Sequence, residues 1–144
     1  METLKYVKAE DQVDPGILHA ADSPIDPTPL LGTWLNTDRH SGGIVKVILV
    51  ARDGALTVRA FGACDPSPCD WGEVTAALFA ENAGSRTVKT LSARYDFGFM
   101  ETSLQAFAKL GVMVMAIFTR FKDGSGRANY FDRQFFYKIE DHQG

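Results

Sequence analysis

Cysteine and histidine are scarce in this chain, at 2 and 3 of its 144 residues. A structural zinc site is thereby excluded: Cys64 and Cys69 would need two further ligands, and His19, His40 and His142 stand at no familiar spacing. Basic charge is not in excess either. A formal net charge of -3 and a pI near 5.5 give no broad field to draw nucleic acid or anionic lipid. Long apolar runs are missing from the first twenty residues, which Glu2, Lys5, Lys8, Glu10, Asp11 and Asp14 interrupt. That pattern is neither a signal-peptide core nor a bilayer span, and it predicts a cytoplasmic protein with no membrane or nucleic-acid partner.

Cofactor motifs are absent as well. Asp123-Gly124-Ser125-Gly126-Arg127 looks superficially like a phosphate loop, but it lacks the Lys-Ser/Thr pair and a following helix, so it reads as a hairpin turn and no cofactor is expected. Cys64 has no histidine in its neighbourhood to serve as base, which removes the usual cysteine nucleophile. A small disulfide within Cys64-Asp65-Pro66-Ser67-Pro68-Cys69 is geometrically possible, whereas a cytosolic setting argues for free thiols.

What is present is enough apolar material for one core: 45% of residues are hydrophobic and 23% charged. Residues 1–29 read as a polar, proline-bearing arm, 30–140 as the folded domain and 141–144 as a tail. Asp26-Pro27-Thr28-Pro29 is expected to forbid regular helix or a central strand just before Leu30. Beyond it, apolar-rich segments alternate with turn signals at short intervals. They predict eight strands, Leu31–Asn36, Ile44–Ala51, Ala55–Ala63, Glu73–Phe79, Thr87–Tyr95, Met100–Ala108, Val112–Lys122 and Tyr130–Lys138. Asp53-Gly54 supplies the positive φ angles of a tight hairpin turn. The expected fold is all-β, an eight-stranded antiparallel up-and-down barrel with an N-terminal extended arm.

Gly32-Thr33-Trp34 on the first strand, with Asn36 two residues on and the hairpin Asp53-Gly54-Ala55-Leu56-Thr57, resembles the first hairpin of avidin and streptavidin. With a basic residue on the last strand, Arg133 or Lys138, the pattern is similar to the calycin superfamily of avidins, lipocalins and fatty-acid-binding proteins. The resemblance implies that Trp34 fills the barrel floor beneath that basic side chain, and that Asn36 matches a position that hydrogen-bonds the ureido group of biotin. Other biotin contacts are not retained. The next ligand-binding serine falls on His40, the third-strand tyrosine and serine fall on Ala60 and Gly62, and Trp71 is the only other indole. What carries over is the scaffold, with a pocket for a small apolar or amphipathic molecule.

Inward-pointing Trp34 and Asn36 would place Leu56, Val58, Ala60 and Gly62 in the same space and Arg59 outside. The candidate ligand-binding residues are Trp34, Asn36, Val58, Ala60, Trp71, Tyr95 and Phe118. The leading expectation is a binder of a small, largely apolar molecule. An alternative is a cyclase or isomerase of a natural-product pathway, in which Glu101, its pKa raised inside an apolar barrel, moves a proton while Tyr95 steadies negative charge. A third reading is a non-catalytic interaction module. Val112-Met113-Val114-Met115-Ala116-Ile117-Phe118 is apolar at every position, so something must cover its outer face, and a homo-oligomer through this strand is expected.

Overall fold

The computed structural model describes residues 25–139; the remainder of the expected arm and the tail lie outside the described residues. Eight strands, β1 (Gly32–Asn36), β2 (Ile44–Arg52), β3 (Ala55–Gly62), β4 (Cys69–Ala80), β5 (Val88–Asp96), β6 (Met100–Lys109), β7 (Val112–Phe121) and β8 (Tyr130–Ile139), form one closed sheet. Every neighbouring pair is antiparallel, and β8 returns to pair with β1, so no edge is left open. The turns follow from local chemistry. Asp53-Gly54 and Leu110-Gly111 both take positive φ at two successive residues, the geometry that matches the right-handed twist of the strands they join.

The register sorts each strand into an inner and an outer set. Trp34 lies opposite Val47, Val47 opposite Ala60, and Leu49 opposite Val58. On the far wall Leu104 faces Ile117, Ala106 faces Met115, and Met113 faces Phe136. All of these inward residues are buried, and the largest, Trp34 and Phe136, fill the end where β1 begins and β8 finishes. The expected placement of Leu56, Val58, Ala60 and Gly62 inside, with Arg59 outside, holds.

The chain before β1 seals that end. Thr28–Leu30 forms a 3-10 turn, where the prolines had argued against regular helix; a single turn tolerates them because its first amide groups need no partner. Leu30 is buried under the barrel and its carbonyl accepts a hydrogen bond from Trp34 Nε1 at 3.0 Å. Lys138 crosses from the opposite strand, its Nζ 5.2 Å from the Trp34 ring centroid and 3.3 Å from the Pro29 carbonyl. Gly32 makes the crossing possible. Its φ of +132° suits glycine alone, and a Cβ there would press at 3.4 Å on the Lys138 stem. Of the two basic candidates, Lys138 therefore covers the tryptophan.

Candidate functional site

The opposite end of the barrel is built differently. There β3 ends in Gly62 and β4 begins at Cys69, four residues earlier than the sequence suggests, because Asp70-Trp71-Gly72 continues the strand through a register shift. Gly62 lets Trp71 swing inward across it: a Cβ at 62 would lie 2.7 Å from Trp71 Nε1. The indole meets Tyr95 and Phe97 edge-on at 5.4 and 5.3 Å between ring centroids, and those two rings stack on each other. Tyr95 locks the arrangement. Its hydroxyl accepts from the Ala60 amide at 3.0 Å and donates toward the Gly72 carbonyl at 2.7 Å, with the Val58 carbonyl at 3.1 Å. It thus supplies the partners that the shifted β3–β4 ladder lacks. Burial holds the Tyr95 phenol above the usual tyrosine range.

Cys64 and Cys69 are joined in a disulfide with Cα atoms 5.5 Å apart, one of the two states that the sequence left open. The bridge staples the loop that carries the chain from β3 to Trp71. Outside it, Arg59 pairs with Asp70 and holds that carboxyl below the usual aspartate range.

Inside this rim lies a recess of about 260 Å³. Ile44, Met100, Ile117 and Trp71 provide apolar walls, and Thr102, Thr119, Tyr130 and Asp132 bring polar groups to it. The Thr102 and Thr119 hydroxyls stand 3.4 Å apart. Asp132 begins a chain of hydrogen bonds that runs down the wall: Gln134 Nε2 donates to it at 2.7 Å, and Asn36 Nδ2 donates to Gln134 Oε1 at 2.8 Å and to the Ile44 carbonyl at 2.9 Å. A larger depression of about 800 Å³ runs along Thr33, Ile48 and Val50, but these residues lie on the outer side of the sheet.

The candidate residues of the sequence fall into three places. Trp71 lines the recess, and Tyr95 supports Trp71 from beneath. Trp34, Val58 and Ala60 are wholly buried in the packed lower barrel, and Asn36 spends both of its amide hydrogens and its oxygen, the latter on the Asp38 amide, within the wall network. Glu101 and Phe118 are on the outside. Thr102 takes the inward position on β6, so Glu101 points outward among Arg94, Arg120 and Lys122 at 3.5, 3.6 and 3.7 Å, and the expected interior carboxylate is corrected. Phe118 pairs with outward Phe131 at 5.1 Å between centroids, because Ile117 and Thr119 take the inward positions of β7.

Four residues of the recess, Thr102, Thr119, Tyr130 and Asp132, were not among the sequence candidates. For Tyr130 and Asp132 the signal was alternation on the last strand, Tyr130-x-Asp132-x-Gln134-x-Phe136, which competes with the more apolar set Phe131, Phe135 and Tyr137 for the inside. Among the described residues no cluster of histidine, cysteine, aspartate or glutamate is suited to a metal ion. No known family profile matches the chain, and no curated protein is significantly similar to it in sequence.

Proposed function

We propose that the open end of the barrel binds a compact, largely apolar molecule bearing one polar group, on a calycin-like scaffold. The observation that carries this reading is the contrast between the two ends: the lower barrel is filled by side chains, while the upper end keeps a walled recess with converging polar groups. A volume near 260 Å³ lies between an engineered cavity of about 150 Å³ that takes benzene and the roughly 300 Å³ at which drug-sized pockets begin. The floor made by Trp34 beneath Lys138 supports the calycin-like reading of the scaffold. The cyclase alternative gains less, since a folded polyene needs more room, Glu101 faces outward and the Tyr95 hydroxyl is fully engaged.

Titrating the full chain with 2-phenylethanol under amide-resolved NMR tests the site. Shifts are expected at Gly42–Ile44, Gly62–Cys64, Thr102 and Thr119, and Thr119→Trp, which fills the recess, should abolish them while the fold persists. Shifts confined to the outer groove, or none at millimolar ligand, would refute the reading.

A second reading concerns the partner. On the outer face of β6 to β8, Phe107, Val112, Phe118, Phe131, Phe135 and Tyr137 are each 42% to 55% exposed. Strand spacing and rise give this strip a projected area of roughly 300 Å², enough for the apolar centre of an interface of about 800 Å² per partner. Arg133 sits within the strip, and the other charges of this face stand at its ends, Lys109 opposite Val112 and Glu101 with Arg120 beyond Phe118. The opposite side of the barrel carries Arg52–Glu73 and Arg59–Asp70 pairs, so the apolar strip is not a girdle around the molecule as a lipid-embedded barrel would have. We propose a second copy of the chain as its occupant, because a flat apolar strip with one charge within it and the others at its ends can meet itself about a two-fold axis. Sedimentation at about 0.1 mM protein should show a dimer, and Phe118→Asp with Phe135→Asp should yield a folded monomer. A monomeric parent protein at that concentration would refute it.

A further inference from the structure

We infer that the recess selects a cationic ligand, a small amine on an apolar body whose ammonium is held by Asp132. This rests on the mouth being the binding site and adds the charge of what enters it. Asp132 lies opposite Ile117 on the inner face of the barrel and lines the recess. Its carboxylate accepts from Gln134 Nε2 at 2.7 Å and from the Arg133 amide at 2.9 Å, two of about four available acceptor positions. Neither donor carries a charge toward it, and it makes no ion pair among the described residues.

The contrast with the other carboxylates is what makes this informative. Glu101, on the outer face, has three cations within 3.7 Å, and Asp70, Glu73, Asp96 and Asp123 each have one. The remaining described carboxylates without an ion pair, Asp26, Asp38, Asp53, Asp65 and Glu81, are all exposed, where water screens them. Asp132 alone is partly buried and lacks a counter-ion. Desolvating it further with a neutral or anionic ligand is costly, whereas an ammonium replaces the lost water with a charge-assisted hydrogen bond.

The surroundings suit that group. Gly43 leaves bare backbone beside the carboxylate, since a Cβ there would stand 3.8 Å from Asp132 Oδ2. The Thr102 and Thr119 hydroxyls can accept the ammonium's other hydrogens, Trp71 and Tyr130 add aromatic rings to the lining, and Ile44, Met100 and Ile117 receive the apolar body.

Three near-isosteric probes separate the claims: 2-phenylethanol, phenethylamine and phenylacetate, each titrated by calorimetry into the full chain. Phenethylamine should bind at least roughly tenfold tighter than the alcohol, with phenylacetate weakest. In Asp132→Asn the ratio of amine to alcohol affinity should fall to near one, and Asp132→Ser provides the same comparison should the asparagine variant fold poorly. Equal binding of amine and alcohol to the parent protein, or an advantage that survives both substitutions, overturns the assignment of charge while leaving the mouth as a binding site. Binding of none of the three overturns the mouth reading and this inference together.

Discussion

Trp34→Ala is expected to lower stability by about 3–5 kcal/mol, the range for truncating a large buried aromatic side chain, and so to lower the melting temperature by roughly 10–20 °C. The side chain is 1% exposed, and three things depend on it at once. It fills the narrow end of the barrel, its Nε1 satisfies the buried Leu30 carbonyl, and its ring carries the Lys138 ammonium. Loss of this much is a large fraction of the stability of a single domain. Lys138→Met separates the contributions. It retains an apolar stem over the ring while deleting the charge, so it should cost only about 1 kcal/mol or less. Calorimetric or chemical unfolding of the two variants decides the matter; a Lys138→Met loss equal to that of Trp34→Ala would mean that charge, and not packing, closes the floor.

The second large effect belongs to Tyr95→Phe. The substitution keeps the ring stacked beside Phe97 and against Trp71, but it strips one hydroxyl from the Ala60 amide and from the Gly72 and Val58 carbonyls. Leaving such groups unpaired in a buried bulge should cost about 1–3 kcal/mol. The same residue predicts a pH signature. Burial raises the phenol's pKa in the folded protein above its unfolded value near 10, so in that window the folded chain holds a proton that the unfolded chain has released. The stabilisation is complete below about pH 10 and is lost as pH rises through the folded value. Unfolding free energy measured from pH 8 to 11.5 should therefore fall more steeply in the parent protein than in Tyr95→Phe; parallel curves would contradict the assignment.

Much of the barrel was legible from sequence because its turns announce themselves. Asp53-Gly54, Leu110-Gly111 and the glycines of Asp123–Gly126 mark strand ends whatever the strands contain. The first and third strands were also readable in phase, since Trp34 sets the inside and Arg59 sets the outside. On β7 the signal fails for a physical reason. Met113, Met115 and Ile117 fill the core, while Val112, Val114 and Phe118 make an outer face that is nearly as apolar, so periodicity carries no phase and Phe118 was placed within the pocket.

On β8 the usual preference for apolar residues inside is inverted over the upper half. Phe131 and Phe135 face outward, and Asp132 and Gln134 face the barrel, which is why the polar side of the candidate site escaped the sequence. Glu101 shows the same limit. A lone carboxylate in a strand reveals nothing of its neighbours, and only pairing with Arg120 across β6–β7 and proximity to Arg94 and Lys122 identify it as part of an outer ion-pair cluster. The disulfide was undecidable from the sequence, since a separation of five permits either state.

Filling the lower barrel also has a kinetic consequence. A hollow barrel open at both ends would be a tunnel, but one plugged at Trp34 and Phe136 is a cup, and a guest of the proposed site would have to leave by the opening through which it came. On that proposal arrival and departure would share one path past the Trp71 rim, so substitutions at Trp71 should change both rates together while the depth of the cup stays fixed.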